Sequence, residues 1–370
     1  MSFIITIKLI FTFISSLILI KLIMHNAILL GLIDIPNERS SHSKVTPRGA
    51  GIGFGFAFFI SILLFDFSLF IEYWFLFLSI FMVFLVGILD DHKDASPKAK
   101  FYVIFLATFL LFLNDVSIYS LGGFFGFEIN LWYLSLPFTI FALAGFTNAL
   151  NLIDGLDGLA ASISIVILSS FLYIGYIHKN ELMIVLSSLT IASLLAFLIF
   201  NWNPAKIFMG DSGSLFLGFI ISVVACISLE YIHPIAIFYL AALPIVDTLV
   251  VMIRRIRKGI SPFTPDKTHV HHILLNFFAK KVRKTVFFLI FTQVLFSLVG
   301  IMLSLNSYEV GQSPTSFVAS IAFIGIIILI YMVFTGIKRR QKLVEKLANR
   351  RKIKLNKSLL NSKKRVIKSF

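Results

Sequence analysis

Apolar runs of about twenty residues recur along this chain, and they leave few folds open to it. A helix of that length spans the hydrocarbon core of a bilayer, where backbone polar groups must be satisfied within the element itself. Reading such runs as spanning helices gives eleven candidates, near residues 3–24, 49–65, 69–89, 101–114, 134–150, 158–177, 182–201, 213–230, 234–253, 285–305 and 315–337. The composition agrees: 58% of the residues are hydrophobic and 14% are charged, against about 25% charged in a soluble domain. The first run has no basic leader and no small-residue cleavage site, so it reads as a retained span. Cys226 is the one cysteine, which excludes a disulfide framework and a Cys-based metal site. The expected fold is an all-α polytopic membrane protein of about eleven transmembrane helices.

Charge orients it. The joins after odd-numbered spans, together with the tail from Lys338 to Lys368, hold 30 of the 33 Lys and Arg. By the positive-inside rule, the N-terminus is outside and the C-terminus cytoplasmic. The expected organisation is an integral domain over 1–337 and a basic cytoplasmic tail over 338–370. The net charge of +15 is therefore mainly topological. The tail suits anionic headgroups of the lipid bilayer, and with no folded basic module beside it, no nucleic acid is expected as a partner. The stretch 117–137 reads as an outer-face loop or hairpin.

The polar residues that a bilayer normally excludes gather in these basic joins: DDHKD (90–94), NALNLIDGLDGLA (148–160), NWNPAKIFMGDSGS (201–214), SPFTPDKTHVHHILL (261–275) and DIPNERSSHSKVTPRGAGIG (34–53). Five such loops on one face imply one shared site. If the third helix continues past Leu89, Asp90, Asp91 and Asp94 share a face at i, i+3 and i, i+4 spacing. Asp154 and Asp157 repeat the i, i+3 spacing, with Asn151 three residues back. Carboxylates so close repel unless a cation lies among them. Mg2+, or Mn2+ in its place, suits oxygen donors and substrate phosphates; helix caps and solvated loop acids are the alternative. THVHH sets His269, His271 and His272 beside Lys267. Zinc would need more fixed ligands, and adjacent His271 and His272 point apart on a regular element, so donors to an anion fit better, beside plain loop histidines. GDSGS (210–214) reads as a glycine-permitted turn with Asp211 at its tip and Ser212 or Ser214 capping the eighth span. TPRGAGIG (46–53) suits backbone contact with a phosphate or close helix packing equally. The residues point to phosphoryl or prenyl transfer at a membrane surface.

Taken together, LDDHKDASPKAKF, NALNLIDGLDGLA, IFMGDSGS and SPFTPDKTHVHH, in this order and spacing, resemble the polyprenyl-phosphate N-acetylhexosamine-1-phosphate transferases. This is the superfamily of WecA, TagO and WbpL, with MraY more distant. DIPNERSSHSKVTPRGAG is most similar to the WbpL branch, which starts O-antigen chains. The resemblance implies Mg2+-dependent transfer of a sugar 1-phosphate from a UDP-N-acetylhexosamine to undecaprenyl phosphate, with loss of UMP, at the cytoplasmic face of the bacterial inner membrane. It assigns Asp211, Asn151 and Asp91 to the metal, and Asp90, Asp91 and Asp211 to catalysis. Lys267, His269, His271 and His272 would meet the diphosphate or sugar, and Lys44 and Arg48 the uridine diphosphate. Asp94, Asp154 and Asp157 complete the substrate-binding set, the last two contacting the nucleotide or supporting their loop. Asp247, inside a span, is expected to fix the histidine loop by a hydrogen bond.

Two other readings compete. A UbiA-type prenyltransferase would show two widely spaced Asp-rich helical motifs, where this chain has one DDHKD. A transporter would carry its acids near the bilayer midplane, whereas these lie at one face.

Overall fold

The computed structural model of the protein describes residues 2–36, 45–93, 95–125, 127–261, 269–305 and 314–367. The chain runs through α1 (Ser2–Asn26), the short strands β1 (Ile33–Asp34) and β2 (Thr46–Pro47), α2 (Ala50–Phe65), α3 (Phe67–Glu72), α4 (Trp74–Lys93) and α5 (Pro97–Phe112). The strands β3 (Ser120–Phe124) and β4 (Phe127–Asn130) follow, then α6 (Ser135–Ile153), α7 (Leu159–Ile177), α8 (Glu181–Asn201) and α9 (Gly210–Ser228). The last helices are α10 (Pro234–Leu240), α11 (Ala242–Ile256), α12 (Val270–Phe277), α13 (Val282–Leu305) and α14 (Pro314–Ile367). This is an all-α polytopic membrane architecture. Among the described residues, eight helices are long and apolar enough to cross a bilayer, or nine if α10 and α11, bent 89° apart, form one span. The helices α2 and α5 have 16 residues each, about 24 Å of rise, less than the roughly 30 Å of a hydrocarbon core.

Local chemistry sets several of the ends. Ser96 caps α5 by accepting from the Ala99 N–H at 3.3 Å, with Pro97 in the first turn, and Asn180 caps α8 by accepting from the Met183 N–H at 2.8 Å. β3 and β4 pair antiparallel with an irregularity between Ser120 and Gly123, so the 117–137 stretch contains a hairpin. It roofs a cavity of about 290 Å3 at the far end of α9, which includes Asp115, Glu128, Glu230 and His233 in its lining. On α1, Lys8 lies inside the first apolar run, where its buried ammonium donates to Asp66 at 2.8 Å. Pairing is what makes a charge tolerable there.

α9 is the most enclosed of the spans, and α14 the least. It touches α2, α4, α6, α7 and α8. The Phe216 ring lies within 5.4–6.1 Å, centroid to centroid, of Phe54, Phe58, Phe59 and Phe84. Aromatic pairs of this kind contribute about 0.5–1.5 kcal/mol each, and the cluster locks α2 and α4 to α9. The same helices cross most closely at their glycines: a Cβ on Gly51 would stand 2.0 Å from the Gly213 nitrogen. Small residues at such a crossing let two backbones touch. That decides TPRGAGIG in favour of packing, since its glycines bring α2 onto the start of α9.

Candidate active site

The site forms where the C-terminal ends of α4 and α6 meet the N-terminal end of α9. α4 does continue past Leu89, to Lys93, which carries Asp90 and Asp91 into the site buried. Asp91 accepts the Asp211 N–H at 2.8 Å and the Ser212 N–H at 3.1 Å. A carboxylate from α4 thereby satisfies the orphan donors at the start of α9 and meets the positive end of its dipole. The expectation that Ser212 or Ser214 caps this helix is corrected, because α9 begins at Gly210 and both serines lie inside it. Gly210 has φ +77°, and a Cβ there would stand 2.6 Å from both Asp91 carboxylate oxygens. Glycine is needed both for the left-handed turn and for the closeness of that acid.

With its backbone held this way, the Asp211 side chain is presented between two partners. Its Oδ2 accepts from Lys100 Nζ at 2.5 Å, and its Oδ1 accepts from Asn151 Nδ2 at 3.1 Å. The Lys100 ammonium also donates to Asp90 Oδ2 at 2.6 Å, so one cation bridges two carboxylates. Asn151 donates in addition to Ser214 Oγ at 2.7 Å. Lys100 was missing from the expected set. In the sequence it counts only as one more basic residue in a cytoplasmic join, although a lysine in the first turn of a helix opposes the dipole and so invites explanation.

The acidic loop after α6 is not helical. α6 stops at Ile153 with Asp154 as its C-cap, and Gly158, at φ +75°, precedes α7, so the i, i+3 helical relation expected for Asp154 and Asp157 does not hold. Asp157 instead accepts from Asn203 Nδ2 at 2.7 Å and from the Ala205 N–H at 3.0 Å. It anchors the segment between α8 and α9. Asn201 ties the same segment to α7, accepting the Gly158 N–H at 2.8 Å and donating to the Ile207 carbonyl at 2.9 Å.

A cavity of about 340 Å3 opens among these elements, with Arg48, Asp91, Asn151, Asp154, Asp157, Asp211 and His272 in its wall. Arg48 donates to the Asp91 carbonyl at 2.7 Å. Asp90 stands behind the wall, reached through Lys100, and His269 and His271 are buried behind His272. The rings of His271 and His272 have centroids 4.2 Å apart and are tilted by 47°, which corrects the expectation that they point apart: the imidazoles stay close although consecutive helical residues leave the axis about 100° apart. Lys44, Asp94 and Lys267 lie outside the described residues.

Five of the lining residues are Asp and one is Arg, so the cavity is strongly negative. Asp154 shows the consequence: its burial, and then the charges of Asp211, Asp157 and Asp91, raise its pKa to about 7. These oxygen donors suit a hard divalent cation. Among the described residues, no three His, Cys, Asp or Glu side chains gather closely enough to cage a metal. Mg2+ needs no such cage, because it retains waters and takes one or two carboxylates together with substrate phosphate. Asp211 and Asn151 share the cavity wall and would be its donors once Lys100 and the Asn151 amide N–H release the Asp211 oxygens, whereas Asp91 is tied to α9 by two backbone N–H groups.

Residues 73–229 match the model of glycosyl transferase family 4. A probable undecaprenyl-phosphate N-acetylglucosaminyl 1-phosphate transferase of Bacillus subtilis is 34% identical over 281 residues, covering 74% of this chain and 78% of its own. An undecaprenyl-phosphate alpha-N-acetylglucosaminyl 1-phosphate transferase of Yersinia pestis is 31% identical over 285 residues, covering 73% and 76%. One of the same name from Escherichia coli K12 is 30% identical over 264 residues, covering 66% and 70%. On its sequence, its helical membrane fold and these likenesses, the chain belongs to glycosyl transferase family 4 and is a phosphoglycosyltransferase.

Proposed function

We propose that the protein moves N-acetylhexosamine 1-phosphate from a UDP-sugar to undecaprenyl phosphate, with Mg2+ and with release of UMP, as the first membrane step of a cell-surface polysaccharide. The observation that carries this reading is the carboxylate-lined cavity built around Asp211, Asn151 and the Lys100 bridge. The names of the similar transferases favour UDP-N-acetylglucosamine as donor, with the 6-deoxy donors UDP-FucNAc and UDP-QuiNAc as the alternatives. In this reading eleven crossings put the N-terminus outside and the tail in the cytosol. The cavity then faces the cytosol across the bacterial inner membrane, and the tail meets anionic headgroups.

The reaction forms a bond from a lipid-phosphate oxygen to the β-phosphorus and breaks the bond from that phosphorus to the bridging oxygen, which leaves with UMP. Two anions must meet, so most of the barrier is charge and alignment. Mg2+ supplies charge neutralisation on the diphosphate. Asp211 and Asn151 would hold it from the protein side. Lys100 sets the Asp90 and Asp211 carboxylates in fixed relation and offers positive charge to the incoming phosphate. A phosphate monoester has a second pKa near 6 and is largely ionised at neutral pH, so Asp90 acts by orienting it rather than by removing a proton. Arg48 and His272, in the cavity wall, are donors for the uridine diphosphate and the sugar.

The test is UMP release by the purified protein with undecaprenyl phosphate, Mg2+ and a panel of UDP-N-acetylhexosamines. UMP that requires the lipid and vanishes with EDTA is the expected result. No UMP from any donor, in folded protein, would overturn the reading. Asp154 adds a pH signature. Its pKa of about 7 means that it holds a proton below that pH and becomes a carboxylate above it. A cation is bound better by the ionised form, so the rate rises as pH increases through about 7. Asp154→Asn flattens that limb, and an unchanged limb in the variant would assign it to another group.

A further inference from the structure

Asp247 lies in α11, away from the cavity wall, and is 4% exposed. An acid buried in an apolar helix needs compensation, and here the compensation comes from one place. Its Oδ1 accepts the Val270 N–H at 2.7 Å, and its Oδ2 accepts His269 Nδ1–H at 3.1 Å. The same Oδ2 is 3.6 Å from His271 Nδ1, an electrostatic contact longer than a hydrogen bond. The first contact caps α12, since the preceding residue, His269, supplies no side-chain cap of its own. The second fixes a tautomer. A carboxylate only accepts, so His269 carries its hydrogen on Nδ1 and turns Nε2 away from α11.

The histidines continue the line toward the cavity. The rings of His269 and His271 stack with centroids 5.7 Å apart, and His271 leads to His272 at 4.2 Å. His271 also presses on the acidic loop: a Cβ on Gly155 would stand 2.5 Å from its Nε2. Gly155 is flanked by Asp154, and both line the cavity with His272.

We propose that Asp247 is a positioning residue for the transfer reaction, holding His269 and His271 so that His272 and the Asp154–Asp157 loop keep their places in the cavity wall. This deepens the function proposed above and rests on it. Without the Asp247 carboxylate, α12 loses its cap and the His269 ring its fixed tautomer. The histidine row then slackens against the Gly155 loop.

Asp247→Asn is the informative change. The amide oxygen still accepts the Val270 N–H, while the amide nitrogen replaces the acceptor that faces His269. UMP release is followed for wild type, Asp247→Asn, His269→Asn and the double variant, with folding checked by size exclusion and thermal melting. The expected kcat loss in Asp247→Asn is about 10- to 100-fold, the range for partners that orient metal-bound histidines. In the His269→Asn background the same change costs less than about threefold, because the two act through one contact. A purely structural role would instead lower the melting temperature and the yield, and multiply the losses. Asp247→Asn activity within threefold of wild type overturns the proposal, as does a full independent loss in the double variant. If Asp247→Asn does not fold, His269→Asn decides, because its amide retains the donor to Asp247 but removes the ring: a loss of about 10-fold or more supports the positioning role, and near wild-type activity overturns it. A wild-type protein that releases no UMP removes the transfer reaction itself. Normal wild-type turnover beside an active Asp247→Asn removes only this assignment.

Discussion

Asp211→Asn lowers UMP release by about a thousandfold and leaves a folded, membrane-inserted protein. Loss of one preorganised electrostatic group at a site of developing charge costs about 10²–10³ in rate, and here the same carboxylate also serves Lys100 and Asn151. The amide keeps the shape but removes the charge that opposes the Lys100 ammonium and that would hold a divalent cation. The fold survives because α9 is anchored by the Asp211 and Ser212 backbone N–H groups on Asp91, which the substitution does not touch. Asp90→Asn, which removes the other half of the Lys100 bridge, follows the same course. UMP release and size exclusion on the same preparation measure both halves of the expectation. Wild-type turnover in either variant would move the reaction to a different set of residues.

Gly51→Val weakens the fold rather than the chemistry. A Cβ at this position would lie 2.0 Å from the Gly213 nitrogen and 2.3 Å from its Cα, and those are backbone atoms that no rotamer change can move. α2 has to lift from α9. The lift separates Phe54 and Phe58 from Phe216 and stretches the Gly51 N–H bond to the Met209 carbonyl, 2.9 Å in the native protein. Overpacking typically costs about 1–3 kcal/mol and occasionally more; with backbone against backbone, about 3 kcal/mol or more is expected. Against a total stability of roughly 5–15 kcal/mol, that is a melting temperature lowered by about 4 °C or more and a reduced yield of monodisperse protein. A variant that melts with wild type would mean that the two helices do not cross at this glycine.

The legibility of this chain divides along a physical line. Membrane spans are one-dimensional objects: twenty apolar residues commit to a helix because lipid offers no other partner for their backbone. The apolar runs accordingly become helices, except that 69–89 is divided at Tyr73 between α3 and α4 and 234–253 is the bent pair α10 and α11. The bend has a cause that run length alone passes over: Pro244 excludes a straight helix through the Leu240 carbonyl, which accepts instead from Gln293 Nε2 at 2.8 Å, and α2 and α5, at 16 residues each, are short for a crossing. The candidate site was legible as a list. Asp91, Asn151, Asp154, Asp157, Asp211, Arg48 and His272 line one cavity, because polar groups excluded from lipid had to collect at a face.

What the sequence could not assign was the division of labour within that list. DDHKD offers two neighbouring aspartates of the same type, and only the approach of α9 makes Asp91 a cap for another helix and Asp90 a partner of Lys100. The i, i+3 spacing of Asp154 and Asp157 suggested one helical face, but Asp157 faces the 203–205 segment, whose bonded residues lie 46 and 48 positions away in the chain. By itself, then, the sequence determined that this protein is helical, spans a membrane and gathers acids and histidines at one face, because hydrophobic run length and the cost of a charge in lipid act locally. The tertiary structure alone decided which carboxylate faces the cavity, which one holds a helix and which lysine completes the site, because those roles depend on distances between segments that are remote along the chain.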